Sequence, residues 1–228
     1  MLVSLHRRFV YVHIYKTAGS SLTAMLAPYV SPEMRSDTPR LDGLGWQGTW
    51  HRHNGQHSPL EPQLTELIQR GLVDTSFRVL SVVRNPYLWH HALWSRFYVE
   101  RYPSLSLEDF LHHQLGLEER VREAFWAPLT QASFLRTEHP LEQVVGRFES
   151  LNESIPRMLA AVGIEAGDIP HVNMKVNPIP AATAFTDTAV RLVNELAAED
   201  FDLFGYSKVY SAEELLAQSH RTSSDLRS

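Results

Sequence analysis

The run Phe9 to Tyr15 (FVYVHIY) consists of β-branched and aromatic side chains around a single imidazole, and it stops at Lys16-Thr17-Ala18-Gly19-Ser20-Ser21. Such a run reads as a strand. Beyond the stop, apolar residues return at Leu22, Met25 and Leu26, which is helical spacing. The chain therefore opens strand, small-residue turn, helix. Phe77 to Val83 (FRVLSVV) is a second strong strand and ends at Arg84-Asn85-Pro86. Asn85 suits a helix cap and Pro86 the first helical position, so a helix is expected from Pro86 to about Arg101. Strands alternating with helices predict an α/β fold with a central, mainly parallel sheet flanked by helices. Ligands of such sheets sit beyond the carboxyl ends of the strands. Lys16 and Arg84 both stand at such ends.

Further helices are expected over Leu60 to Leu72, with Gly71 as its C-cap, over Leu107 to Gln114, and over Glu118 to Phe134. Leu141 to Phe148 predicts a third strand. Ile155 to Val162 predicts a helix closed by Gly163, and Thr188 to Asp200 an amphipathic helix. Residues 165–182, with Pro170, Pro178, Pro180, Asn173 and Asn177, read as a loop. Residues 1–210 are expected to form one domain. After Ser211 a short helix and a frayed polar tail, RTSSDLRS, should follow. Residues 28–59 are punctuated by Pro and Gly and carry Trp46, Trp50, His51, His53 and His57. A long loop with such groups is more often functional than idle.

Composition narrows the class. The 228 residues carry 21 Lys+Arg against 26 Asp+Glu, a net charge of −5, which gives no bulk attraction to nucleic acid. Apolar residues make up 43%, enough for a sizeable core without staples. The cysteine count is 0, which removes disulfides, thiolate metal sites and cysteine nucleophiles together. The N-terminus has no signal-like apolar core, and no run approaches the roughly 20 apolar residues of a membrane helix. A cytoplasmic protein without a membrane span is expected. With 12 His in the chain, a single His is weak evidence of function.

The turn after the first strand suits a phosphate-like anion. Ala18, Gly19, Ser20 and Ser21 are small enough for backbone N–H groups to approach an oxyanion. The following helix points its positive dipole end at the same spot. Lys16 adds a full charge, and Thr17, Ser20 and Ser21 add hydroxyls. An ordinary capped strand-to-helix turn is the plain alternative. The order differs from the Walker pattern, in which Lys follows the glycines. Where a Mg-nucleotide enzyme commonly places an acidic residue on a neighbouring strand, this chain has Arg84. Arg cannot ligate Mg²⁺ but grips phosphate bidentately, unless it serves in a structural ion pair. Two cationic strand ends suggest a ligand with two separated phosphate-like groups and no obligatory metal.

Ile14-Tyr15-Lys16-Thr17-Ala18-Gly19-Ser20-Ser21 resembles the opening I-x-K-T-[GA]-[GS]-[ST]-S of the carbohydrate-type sulfotransferases, which include the heparan and chondroitin sulfate enzymes. Val83-Arg84-Asn85-Pro86-Tyr87 is similar to their V-R-[DN]-P-aromatic, Gly146-Arg147-Phe148-Glu149-Ser150-Leu151 to G-R-[FY]-E-x-L, Ile169-Pro170-His171-Val172-Asn173 to L-P-H-x-N, and Asp200 through Tyr206 to D-x-x-x-F-G-Y. The resemblance runs from residue 9 to about 206. It implies a P-loop-like, three-layer fold and 3′-phosphoadenylyl sulfate (PAPS) as co-substrate, with PAP as product. Residues 16–21 would grip the 5′-phosphosulfate and Arg84 the 3′-phosphate. The family's Ser eight residues after the Arg is Ala92 here. Ser95, about 4.5 Å further along the helix axis, or His91, would substitute. A lost hydroxyl contact to a charged phosphate costs roughly 1.5–3 kcal/mol.

The expected reaction is transfer of a sulfuryl group to a hydroxyl of a sugar or other small acceptor. Lys16 would neutralise charge on the leaving oxygen, and a neutral His would take the acceptor's proton. His57 matches the family's histidine segment, with His53 and His51 as alternatives; His13, inside the first strand, reads as structural. Trp46 and Trp50 suit either an acceptor wall or loop anchors. Asn173 and Lys175 match a loop near the donor, and Glu149 suits a structural partner. Two rival readings remain: a P-loop-like kinase or NTPase, and a nucleotide-binding protein with decayed catalysis, which Ala92 favours.

Overall fold

The computed structural model describes residues 1–34, 57–97, 99, 102–116, 130–169 and 180–225. In chain order these hold β1 (Leu2–Ser4), β2 (Phe9–Tyr11), α1 (Gly19–Leu26), α2 (Leu60–Gln69), β3 (Arg78–Val83), α3 (Pro86–Phe97), α4 (Leu107–Gly116), α5 (Ala132–Leu135), β4 (Glu142–Arg147), α6 (Leu151–Ala161), α7 (Ala181–Ala184), α8 (Asp187–Leu196), α9 (Ala198–Phe204) and α10 (Ala212–Asp225), with short 3-10 turns between some of them. Two compact units are interleaved along the chain. The first takes Met1–Arg84 and Ser133–Met174, the second Asn85–Ala132 and Lys175–Ser228.

The first unit holds a mixed sheet in the order β1-β2-β3-β4, with helices beside it. β2, β3 and β4 run parallel, with Val10 opposite Val79 and Val83 opposite Arg147. β1 is an antiparallel edge paired Leu2 to Tyr11, which the sequence reading did not foresee. Phe9, Val10, Tyr11, Val79, Leu80 and Val82 are all buried. Burial on both faces explains why β2 and β3 read as near-continuous apolar runs rather than alternating ones. The regular strand β2 ends at Tyr11, short of the expected Tyr15. Val12 still donates its N–H to the Leu80 carbonyl at 2.9 Å, but the Ser81 hydroxyl then takes the Val12 carbonyl. A side chain replaces the ladder there and frees the chain to turn.

α2 closes with a Schellman motif: Gly71 has φ 66, its N–H donates to Ile68 and that of Leu72 to Leu67. α6 closes likewise at Gly163, φ 67. α6 starts earlier than expected, at Leu151, and takes Pro156 into its interior. Gly146 of β4 lies under this helix. A Cβ there would stand 2.6 Å from Met158 Sδ and 2.9 Å from Ser154 Cβ, so the strand and helix approach closely only because the residue is Gly.

In the second unit, Asn85 caps α3 by accepting from the N–H groups of Tyr87 and Leu88 at 3.1 and 3.4 Å. α3 is described as far as Phe97, and its expected end at Arg101 lies outside the described residues. The Tyr87 ring is buried. Its hydroxyl donates to Asn194 Oδ1 on α8 and accepts the Val209 N–H at 2.8 Å. Ser106 and Asp109 form a reciprocal capping box at the start of α4. The expected helix from Glu118 to Phe134 lies largely outside the described residues; within them, Thr130 and Gln131 are not helical and α5 begins at Ala132. The expected helix from Thr188 to Asp200 is two helices, broken at Ala197. α10 continues as far as Asp225, into the polar tail expected to fray. Ser211 Oγ accepts the Glu214 N–H, Glu214 accepts the Tyr210 N–H, and Asp187 accepts the Ala212 N–H, so the start of this polar helix is well capped.

Asp200, in α9, is fully buried and accepts the N–H groups of Gln131 and Ala132, each at 2.8 Å. Burial pushes its carboxyl up to about 6 from an ordinary 3.8, against the lowering effect of those bonds. A folded-state pKa above the unfolded one means that the native state holds the extra proton between those two values. The resulting stability is fully present below about 3.8 and is lost as pH rises through about 6. Asp200→Asn removes this dependence. In urea unfolding, the advantage of the native Asp over Asn should shrink by roughly 2–3 kcal/mol between pH 4 and pH 7. A constant difference across that range would contradict the assignment.

Candidate active site

The site is built in the first unit, beyond the carboxyl ends of β2, β3 and β4. Lys16 and Ala18 have φ of 60 and 64, while Thr17 between them does not enter the left-handed region. An L-residue there costs about 1–2 kcal/mol, and neither is a glycine. Alternation of φ sign along successive residues turns their N–H groups toward one side and makes an anion-binding concavity, or nest. α1 follows directly, so the first N–H groups of the helix and its positive dipole end face the same way. Ala18 caps α1 through its backbone: its carbonyl accepts from Ser21 and Leu22 at 3.0 and 3.3 Å. The Thr17 hydroxyl donates to the Ile14 carbonyl at 2.9 Å and is buried, so its proton closes the turn. Ser21 is buried and Ser20 is half-buried.

Arg84, immediately after β3, comes to this turn. Its Nη1 donates to the Lys16 carbonyl at 3.3 Å, and its guanidinium carbon lies 4.2 Å from the ring centroid of Phe148. Phe148 is the residue after β4. The carboxyl ends of three adjacent parallel strands thus supply the turn, the guanidinium and the ring on which it rests. The two expected cationic positions, Lys16 and Arg84, are neighbours.

His57 lies against Tyr15, the residue before Lys16. Its Nδ1 donates to the His13 carbonyl at 2.9 Å, and its ring stacks on Tyr15 with centroids 3.6 Å apart. A carbonyl only accepts, so Nδ1 carries the proton and the neutral imidazole has its lone pair on Nε2. Burial raises the Tyr15 phenol, which therefore stays protonated at neutral pH. Phe134 meets the Tyr15 ring edge-on at 6.0 Å.

His13 had read as a structural strand residue. It lies in the extended segment between β2 and the turn, is buried, and touches both His57 and the start of α1. Its ring meets His57 edge-on at 4.3 Å. It also packs against the first residue of α1: a Cβ on Gly19 would fall 1.8 Å from the imidazole. The signal was in the sequence, because Tyr11, His13 and Tyr15 at spacing two share one side of an extended chain. Gly19→Ala must push this buried ring aside, and overpacking of this kind costs about 1–3 kcal/mol. Urea unfolding reads the loss, and a variant as stable as the parent would contradict the packing described.

Ser95 belongs to the second unit. It is buried in α3, as are Ala92 and His91, and His91 lies against Trp94 and Phe185 with centroids 5.7 and 6.2 Å apart. Next to it His90 is fully buried, and burial drives its imidazole down to about 3, so it is neutral at working pH. Trp46, Trp50, His51, His53, Asn173 and Lys175 lie outside the described residues. No helix among the described residues is long and apolar enough to cross a membrane. No family model, curated protein or solved structure matches the chain.

Proposed function

We propose that the chain is a PAPS-dependent sulfotransferase of P-loop-like, three-layer architecture that moves a sulfuryl group to a hydroxyl of a sugar or other small acceptor. One observation carries the reading: Arg84, at the end of β3, hydrogen-bonds the backbone of Lys16 inside a turn whose φ signs alternate. A nest with a lysine, beside a guanidinium from the neighbouring strand, suits a ligand with two separated anionic ends. The order of the turn and the basic residue at the end of β3 favour PAP over a Mg-nucleotide.

The residues fit the co-substrate as follows. Lys16 and the backbone N–H groups of residues 17–20 hold the phosphosulfate end, and Ser20 and Ser21 add hydroxyls. Arg84 holds the 3′-phosphate. PAPS supplies a sulfuryl group activated by a phosphate leaving group. Lys16 offsets the charge that develops on the departing oxygen, and the turn N–H groups offset charge on the sulfuryl oxygens. His57 Nε2 takes the proton of the attacking hydroxyl, and the Nδ1 bond to the His13 carbonyl holds the ring in the required tautomer.

A second reading, nucleotide binding without turnover, is favoured by the fully buried Ala92 at the position where the family has its phosphate-binding Ser. Transfer of labelled sulfate from PAPS to a panel of sugars, phenols and alcohols separates the two. The proposal expects turnover of at least one acceptor class, lost in Lys16→Ala. Binding of PAP with no labelled product from any acceptor supports the second reading.

A further inference from the structure

We infer that Phe148 is a positioning residue for Arg84, fixing the guanidinium so that the site grips the 3′-phosphate of its nucleotide. The inference rests on the function proposed above. Arg84 leaves β3 as a long side chain with several rotatable bonds, and a side chain of that kind loses much entropy when held in one orientation. Two contacts fix it before any ligand arrives. One N–H of the guanidinium donates to the Lys16 carbonyl, and the group lies over the Phe148 ring, 4.2 Å from its centroid. The face of an aromatic ring attracts a cation. It makes no hydrogen bond to the guanidinium, so it orients the group without competing for its donors.

The origin of Phe148 supports this role. It follows β4 directly, and β4 pairs with β3 residue by residue up to Val83 opposite Arg147. Arg84 and Phe148 are therefore the residues that follow the last pair, with Phe148 opening the 3-10 turn Phe148–Ser150. Gly146 lets α6 pack closely on β4, and the Arg147 N–H donates to Ser154 Oγ on that helix at 2.9 Å. The backbone that carries the ring is thus anchored on both sides. This assigns a reason to the aromatic residue in Gly146-Arg147-Phe148-Glu149: it is a rest for the cation on the adjacent strand.

The test is calorimetric titration of the full chain with PAP and with 5′-AMP, which lacks the 3′-phosphate, for the parent, Phe148→Leu and Phe148→Tyr. Phe148→Leu should weaken PAP roughly tenfold and leave 5′-AMP unchanged, and Phe148→Tyr should restore PAP affinity. Equal weakening of PAP and 5′-AMP would mean that the ring merely supports the fold and would overturn the inference. So would a Leu variant that binds PAP like the parent, or a Tyr variant as weak as Leu. A parent chain that does not bind PAP at all overturns the functional reading itself, and this inference with it.

Discussion

Replacing His57 with Ala should lower kcat for sulfuryl transfer by about 10²–10⁴-fold, the usual contribution of a positioned general base, while PAP affinity is unchanged. The imidazole contributes only where a proton moves, and donation of its Nδ1–H to the His13 carbonyl makes Nε2 the basic nitrogen. Only the neutral imidazole accepts a proton, so the acid limb of the kcat/KM profile should vanish with it. Tyr15 cannot take over as base, because burial keeps its phenol protonated at neutral pH. If the variant lost PAP affinity and kcat together, His57 would be holding the donor turn rather than acting on the acceptor. If it kept full activity, the proton would be leaving by another group.

Arg84→Lys should weaken PAP by about 10–100-fold, the equivalent of one or more charge-assisted hydrogen bonds at roughly 1.5–3 kcal/mol each, although the charge is conserved. An ammonium has no planar fork to grip two phosphate oxygens while another N–H reaches the Lys16 carbonyl. Conserving the charge separates geometry from simple attraction, since steering at long range is the same in both chains. Affinity for 5′-AMP should stay at the parental level. A Lys variant that binds PAP as well as the parent would reduce Arg84 to a source of positive potential.

Much of this was legible in the sequence, for physical reasons. The strands β2 and β3 are buried in the sheet and advertise themselves as β-branched and aromatic runs, and Gly71 and Gly163 mark helix ends because only Gly takes the left-handed position cheaply. The approach of Arg84 to Lys16 was legible because segments leaving the carboxyl ends of neighbouring parallel strands run side by side. What escaped notice has physical causes too. β1 is a three-residue edge strand, too short for a periodic signal. The α10 helix was underestimated because its C-terminal half is polar, although Ser211-x-x-Glu214 is a capping signal. The buried Asp200 depends on backbone N–H groups far away in sequence, at Gln131 and Ala132. The left-handed φ of Lys16 and Ala18 was hidden because neither residue is Gly.

The most direct measurement of the central claim is a pair of calorimetric titrations of the full chain: PAP without divalent metal, and ATP with Mg²⁺. The account predicts saturable binding of PAP at one site, lost in Lys16→Ala and weakened in Arg84→Lys, with ATP much weaker. Tight binding of Mg·ATP with no heat from PAP would contradict it.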